Sequence, residues 1–368
     1  MMRGGVIRLM ARLVLTGLMI ASLVLAAVNI SALAKAPIGA AFVARGTAGL
    51  AAATEHALAV HATPEAVARR LDALLIEEPR NWLAIEAVEA LAADRAISLP
   101  ADLMARRAAA WEADGGFWKG AGDCLQCIRD ATTCDLTLVM LCRAPIELSP
   151  VGDLAGITRG GLDYIAGRDV DEVDVILSVI GLTAVTLALW SGGSSLTIKA
   201  GAGLGKMAKS MNRLPDAMTR PLVRVFREGV DWSGIGQVRK LDDLAGLLRP
   251  AVMRPAAVIV GDAGRMVRNT STLEALHLMK YLDDPADLSR MARASDALGP
   301  RMVGTVELLG KSRVMRLTMR MADEVWFVFG SLVGALASAL ALLQSLMFSA
   351  MSRGLRRAAR RPVHSRGG

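Results

Sequence analysis

All four cysteines of the chain fall within one short stretch, Gly122–Cys142 (GDCLQCIRDATTCDLTLVMLC), at the spacing C-x2-C-x6-C-x7-C. Cysteines can ligate zinc, exchange electrons or crosslink a chain, and their spacing discriminates among these uses. A zinc ribbon takes two close knuckles, and only Cys124 and Cys127 make one. A thioredoxin-like site would set its C-x-x-C after a strand in an α/β fold, which this sequence does not suggest. In an oxidising compartment, an even number of cysteines is most simply a pair of disulfides. Cys124 and Cys127 lie too close to pair comfortably across a regular helix, so each is expected to reach Cys134 or Cys142.

Other chemistry is sparse. GAGLGKMAKS (Gly201–Ser210) superficially matches a phosphate loop, but G-x-x-x-x-G-K-[ST] requires glycine at 200 and serine or threonine at 207. Those positions hold Ala200 and Met207. Small residues on a helix, allowing close packing, explain the stretch more simply. DVDEVD (Asp169–Asp174) lacks the glycine and distal glutamate of a calcium loop. Asp169 followed three positions later by Glu172 reads as a capping-box-like helix start. Of the four histidines, His56 and His61 do not share a helix face, and His277 and His364 stand alone. No metal, cofactor or catalytic residue is expected.

The elements that position the cysteines begin with two long apolar runs. Leu13–Ala34 carries no charge over 22 residues, and Val325–Met351 carries none over 27. At about 1.5 Å per residue either would span a bilayer core. Arg3, Arg8 and Arg12 precede the first run; Arg353, Arg356, Arg357, Arg360, Arg361 and Arg366 follow the second. These nine exceed the net charge of +8, leaving Leu13–Ser352 at −1. Basic ends beside apolar runs are an orientation signal rather than a nucleic-acid footprint. Both ends are placed in the cytoplasm and the intervening chain in the exported compartment, a bacterial periplasm. Ala32-Leu33-Ala34 would also serve as a signal-peptidase site, so the first run is an uncleaved anchor or a signal peptide. Gly330, Gly334 and Ser338 stand four apart in the second run, a face for close packing against a second copy.

A third apolar run, Val175–Trp190, is shorter than a spanning helix usually needs. One extra crossing would push the C-terminal arginines outside, against the orientation signal. The favoured reading is a buried core helix; alternatives are a membrane-inserting hairpin with the following helix or a true span. Lys199, Lys206, Lys209 and Arg213 fall on one helical face and are expected to mark a surface helix.

Local punctuation sets the remaining elements. Ala40–His61 reads as a helix or linker. Thr63-Pro64 caps a helix over Glu65–Glu78, Asn81 caps Trp82–Ala96, and Ser98-Leu99-Pro100 opens Ala101–Ala113. Further helices are expected at Leu241–Leu248, Thr272–Leu282, Ala286–Leu298 and Met302–Leu309, with a long one from Ser312 into the terminal run. VIVGD (Val258–Asp262) is read as the one short strand.

The stretch from CRAPIELSPVGDLAGI through SGGSSLTIKAGAGLGKMAKSMNRL, about residues 142–213, resembles uncharacterised bacterial inner-membrane proteins. It is also loosely similar to the apolar helical segments that precede toxin domains in secreted polymorphic toxins. The resemblance implies no site residues. The expected fold is an all-α membrane protein, its exported helical domain held between an N-terminal signal or anchor helix and a C-terminal transmembrane helix. Its parts are a basic N-terminus (1–12), the signal or anchor (13–34) and a periplasmic helical region (35–121). A cysteine segment (122–150), an apolar helical hairpin (151–213) and a second helical region (214–324) follow, then the transmembrane helix (325–351) and a cytoplasmic tail (352–368). The expected role is an interaction or scaffold module with membrane lipid, a protein partner and a second copy as its contacts. A membrane-active protein using Val175–Met211 and a thiol redox protein are the competing classes.

Overall fold

The computed structural model describes residues 37–319, apart from 115–116, 135, 139–140, 143, 148, 166–167, 192–194 and 233–245. The expected membrane segments 13–34 and 325–351, with Gly330, Gly334 and Ser338, lie outside the described residues. Among the described residues, no helix is long and apolar enough to cross a membrane. Thr47–Met319 forms one compact unit.

Local caps set the first elements. Helix α1 spans Pro37–His61. Helix α2 (Pro64–Ile76) starts where Thr63 Oγ1 accepts a hydrogen bond from Ala66 N–H, and α3 (Trp82–Asp94) where Asn81 Oδ1 accepts from Ala84 N–H. Each cap satisfies an amide with no partner inside its helix. Helix α4 (Ala101–Asp114) packs on α2, and α5 spans Phe117–Arg129. The buried stripes Val67/Leu71/Leu74/Leu75 of α2 and Ile85/Val88/Leu91 of α3 face a common interior.

The second half is a bundle around a hairpin. Helix α6 (Pro150–Ile165), α7 (Glu172–Ser191) and α8 (Ser195–Ser210) are followed by α9 (Asp216–Glu228) and α10 (Pro250–Asn269). Helices α11 (Thr272–Leu278), α12 (Pro285–Leu298) and α13 (Met302–Leu309) complete the order, with 311–319 also helical. Helix α7 packs on α6, α8 and α9, and α8 lies between α7 and α10. Every residue from Val175 to Ala184 on α7 and from Gly201 to Ala208 on α8 is buried. A helix apolar on all sides belongs in a core, and the structure puts α7 there. The start of α7 is set by Asp171, whose Oδ1 accepts from Asp174 N–H, two positions later than the expected Asp169.

One expectation is overturned, and a second is corrected at its C-terminal end. Val258–Asp262 is not a strand but the middle of α10, whose buried Ala256, Ile259, Val260, Ala263 and Met266 keep helical spacing. Its Pro250 occupies the first turn, where a missing N–H costs nothing. The expected helix at Leu241–Leu248 lies partly outside the described residues, and Leu248 instead forms an isolated antiparallel bridge with Val230.

GAGLGKMAKS lies wholly inside α8, so its amides are spent on helix bonds. Its glycines admit neighbours. A β-carbon on Gly201 would collide with the Val260 carbonyl of α10, one on Gly264 with the Thr197 carbonyl of α8. Because backbone stands on both sides, neither clash can relax through a rotamer. Gly264→Ala is therefore expected to destabilise the unit by about 1–3 kcal/mol or more. Gly122, on an exposed turn of α5 with open space around it, supplies the control. Gly122→Ala should be neutral or gain up to ~1 kcal/mol from helix propensity. Urea midpoints of the two variants, moving in opposite directions, check the packing.

Candidate functional site

The cysteine segment opens with α5, continues through a 3-10 turn (Ala131–Thr133) and single helical turns at Leu136–Leu138 and Ala144–Glu147, and ends at α6. Cys124 pairs with Cys142 and Cys127 with Cys134, the inner bond nested within the outer. Both partners of the inner pair are buried. The C-x-x-C cysteines do not bond each other, and the described residues contain no free cysteine. Asp130 organises the turn between the inner pair: its Oδ1 accepts from Thr132 N–H at 2.9 Å and from the Thr132 hydroxyl at 2.7 Å.

His277 does not stand alone. It is fully buried on α11, and its Nε2 lies 2.6 Å from Glu307 Oε1 on α13. The same oxygen accepts from Tyr281 Oη at 2.6 Å and stands 3.2 Å from Lys280 Nζ. The other, Oε2, accepts from Arg70 of α2, Nε at 3.0 Å. On its far side, His277 Nδ1 lies 2.8 Å from Asn81 Nδ2. Asn81 Oδ1 is occupied as the α3 cap, so its amide nitrogen must donate to Nδ1. That fixes the tautomer: His277 is neutral, protonated at Nε2, and donates to Glu307.

Charge states follow from these contacts. Burial alone would raise the Glu307 pKa, but hydrogen bonds from His277 and Tyr281 and the charge of Lys280 outweigh it, holding the carboxyl well below its usual range. Burial lowers the His277 pKa from its ordinary 6.5; the bond to Glu307 opposes this, and Lys280 adds to it. Burial and the Glu307 charge push the Tyr281 hydroxyl well above its ordinary value. The Glu307 and His277 side chains have no exposed surface. The cluster is a polar lock joining α2 and α3 to α11 and α13.

A second buried charge cluster sits in the hairpin. Lys199 and Lys206 of α8, expected on a surface, are instead 9% and 4% exposed. Both meet Asp153 in the first turn of α6: Lys199 at Oδ2, and Lys206 at Oδ1 at 3.4 Å. Lys206 also stands 3.9 Å from Asp174 of α7, while Lys209 pairs with Asp171. The lysines do share a face, but partner acids on other helices turn it inward. Beside this cluster runs a groove of about 290 Å³ bordered by Gly156, Arg159, Asp163, Asp171 and Lys209.

At the outer edge of the array, Trp82 and Trp111 meet edge to face at 4.8 Å, with the Arg107 guanidinium 5.4 and 5.5 Å from the two rings. Arg107 is held by Glu89 at 3.0 Å, and Trp82 Nε1 donates to Asp114 at 3.0 Å. Trp111 keeps 48% of its surface exposed and Met104, two turns earlier on α4, 38%.

Sequence reasoning selected the cysteines and missed Glu307, Tyr281, Arg70 and Asp153, whose partners come from distant positions. Among the described residues, no group of His, Cys, Asp or Glu is arranged to hold a metal ion. Comparison with known protein families, with characterised proteins and with solved structures finds no match for this chain.

Proposed function

We propose that the chain is a bacterial inner-membrane protein whose helical unit is exported to the periplasm and serves there as an interaction or scaffold module. The two disulfides carry this reading, because such crosslinks form and persist in oxidising compartments. Arginine-flanked apolar runs at 13–34 and 325–351 would anchor it, with the basic tail in the cytoplasm. A second copy would pack on Gly330, Gly334 and Ser338. The half-exposed Trp111 beside Arg107 is of the residue type that dominates contact energies at protein interfaces, which supports a protein partner. Impermeant thiol labelling of intact cells, with and without reductant, tests the reading. Labelling only after reduction is expected; cysteines that stay unlabelled until lysis, then react without reductant, would overturn it.

A second reading, a membrane-active protein, is favoured by the α7–α8 hairpin. The buried, uncharged stretch Val175–Ala184 of α7 lies in the core, and its partner helix carries lysines neutralised internally. Leakage of dye from anionic vesicles by the isolated 169–213 segment tests this reading, and vesicles that stay sealed would dismiss it.

A further inference from the structure

We infer that Asp153 is the latch that retains the α7–α8 hairpin in its bundle, and that with this carboxylate neutralised the hairpin enters a lipid bilayer; the inference rests on the membrane-active reading. Asp153 is fully buried and touches both arms of the hairpin at once. One oxygen takes Lys199 and the other Lys206, both on α8. On the α7 side it lies against Gly181, where a β-carbon would stand 2.8 Å from Oδ2. No side chain larger than hydrogen fits there.

The rest of the cradle belongs to the same turn. Lys199 Nζ reaches the Ser149 carbonyl at 3.4 Å, and Lys206 Nζ the Gly152 carbonyl at 3.3 Å. Ser149 Oγ in turn accepts from Gly152 N–H at 3.2 Å, capping α6. One turn, 149–153, thus supplies the carboxylate and carbonyls that make two interior ammonium groups tolerable. A buried cation left without its counter-charge is strongly unfavourable. Lys206 retains Asp174, but the remaining contact of Lys199 is a carbonyl. Outside the bundle the apolar surface of α7 suits hydrocarbon, and the two lysines suit anionic headgroups. Loss of one carboxylate therefore converts the best site for the hairpin into a poor one while leaving the bilayer site unchanged.

The test uses the full chain, disulfides intact, reconstituted into phosphatidylethanolamine–phosphatidylglycerol vesicles. An environment-sensitive fluorophore is placed on Ser194→Cys, between the two helices. Quenching by doxyl-labelled lipid reports entry of the hairpin; amide exchange over α2, α3 and α13 reports the rest of the unit. Asp153→Asn should raise the displaced population on the order of 100-fold. The α2, α3 and α13 amides should stay protected, and Asp153→Glu should restore the unquenched state. If Asp153→Asn stays unquenched while wild-type chain diluted from urea onto the vesicles is quenched, the latch is overturned and the hairpin reading survives. If neither is quenched, the hairpin reading itself falls. Loss of protection throughout α2, α3 and α13 would also overturn the latch, since a lock confined to the hairpin must leave them intact.

Discussion

Glu307→Gln is expected to remove about 3 kcal/mol of stability, the lower end of what stripping one partner from a buried ion pair costs. The lower end applies because Arg70 and Lys280 keep 28% and 31% of their side-chain surface in water, which takes up part of the orphaned charge. His277 and Tyr281 can still donate to the amide oxygen, so the loss falls on the two cations. Against a typical total of ~5–15 kcal/mol, the urea midpoint should fall clearly with little change in slope. The pH profile separates this account from simple repacking. His277 has a folded pKa below 6.5, so below about pH 6.5 the unfolded chain binds a proton that the fold refuses, and stability declines. Glu307 has a folded pKa below 4.5, so its contribution is complete above 4.5 and is lost as pH falls further. The wild-type profile should therefore fall from about pH 6.5 and steepen below 4.5. In the glutamine variant the second component should shrink to what Glu55 and Asp287 contribute, their carboxyls also being held low by neighbouring cations, while the first persists and deepens, since the carboxylate that supported protonation of His277 is gone. A variant curve running parallel to wild type between about pH 5 and pH 3 would refute the assignment.

What the sequence could and could not reveal divides along the distance between partners. Thr63 and Asn81 were legible because a cap bonds three residues ahead, and the six helices from Thr63 to Asp114 and from Thr272 to Leu309, whose punctuation was local, came out within a few positions. Val258–Asp262 was misread because a short run rich in β-branched residues does not reveal its period; only the spacing of Ala256 through Met266 marks it as helix. The lysines of α8 were placed on the right stripe and given the wrong side. Periodicity says which residues share a face, but the acid that buries that face lies 46 positions before Lys199. Glu307 had still less signal. Arg70 is 237 residues from it and Asn81 is 196 from His277, and neither residue type nor spacing hints at the encounter.

The crosslinks give the second large effect, and nesting determines its pattern. Closing the outer interval of 18 residues is worth about 3 kcal/mol and the inner interval of 7 about 2 kcal/mol in the chain-entropy account. Because the inner bond already shortens the outer loop, replacing all four cysteines by serine should cost less than those two values summed, yet more than the sum of the two single-pair replacements, each measured with the other bond intact. The order of reduction should differ from the order of strength. Cys127 and Cys134 are buried, whereas Cys124 and Cys142 are partly exposed, and exchange requires a thiolate to reach sulfur. Limiting dithiothreitol should therefore open Cys124–Cys142 first, followed by mass spectrometry of alkylated peptides. Amide protection should then drop over 122–147 before it drops in α7 or α8. The Cys142 end leads along the chain to Ser149 and Asp153, so loosening it should reach the first turn of α6 next, ahead of the α2–α3 array. If the inner bond opens first, or if serine at all four positions leaves the urea midpoint unchanged, the segment is not the staple that its nested pairing makes it.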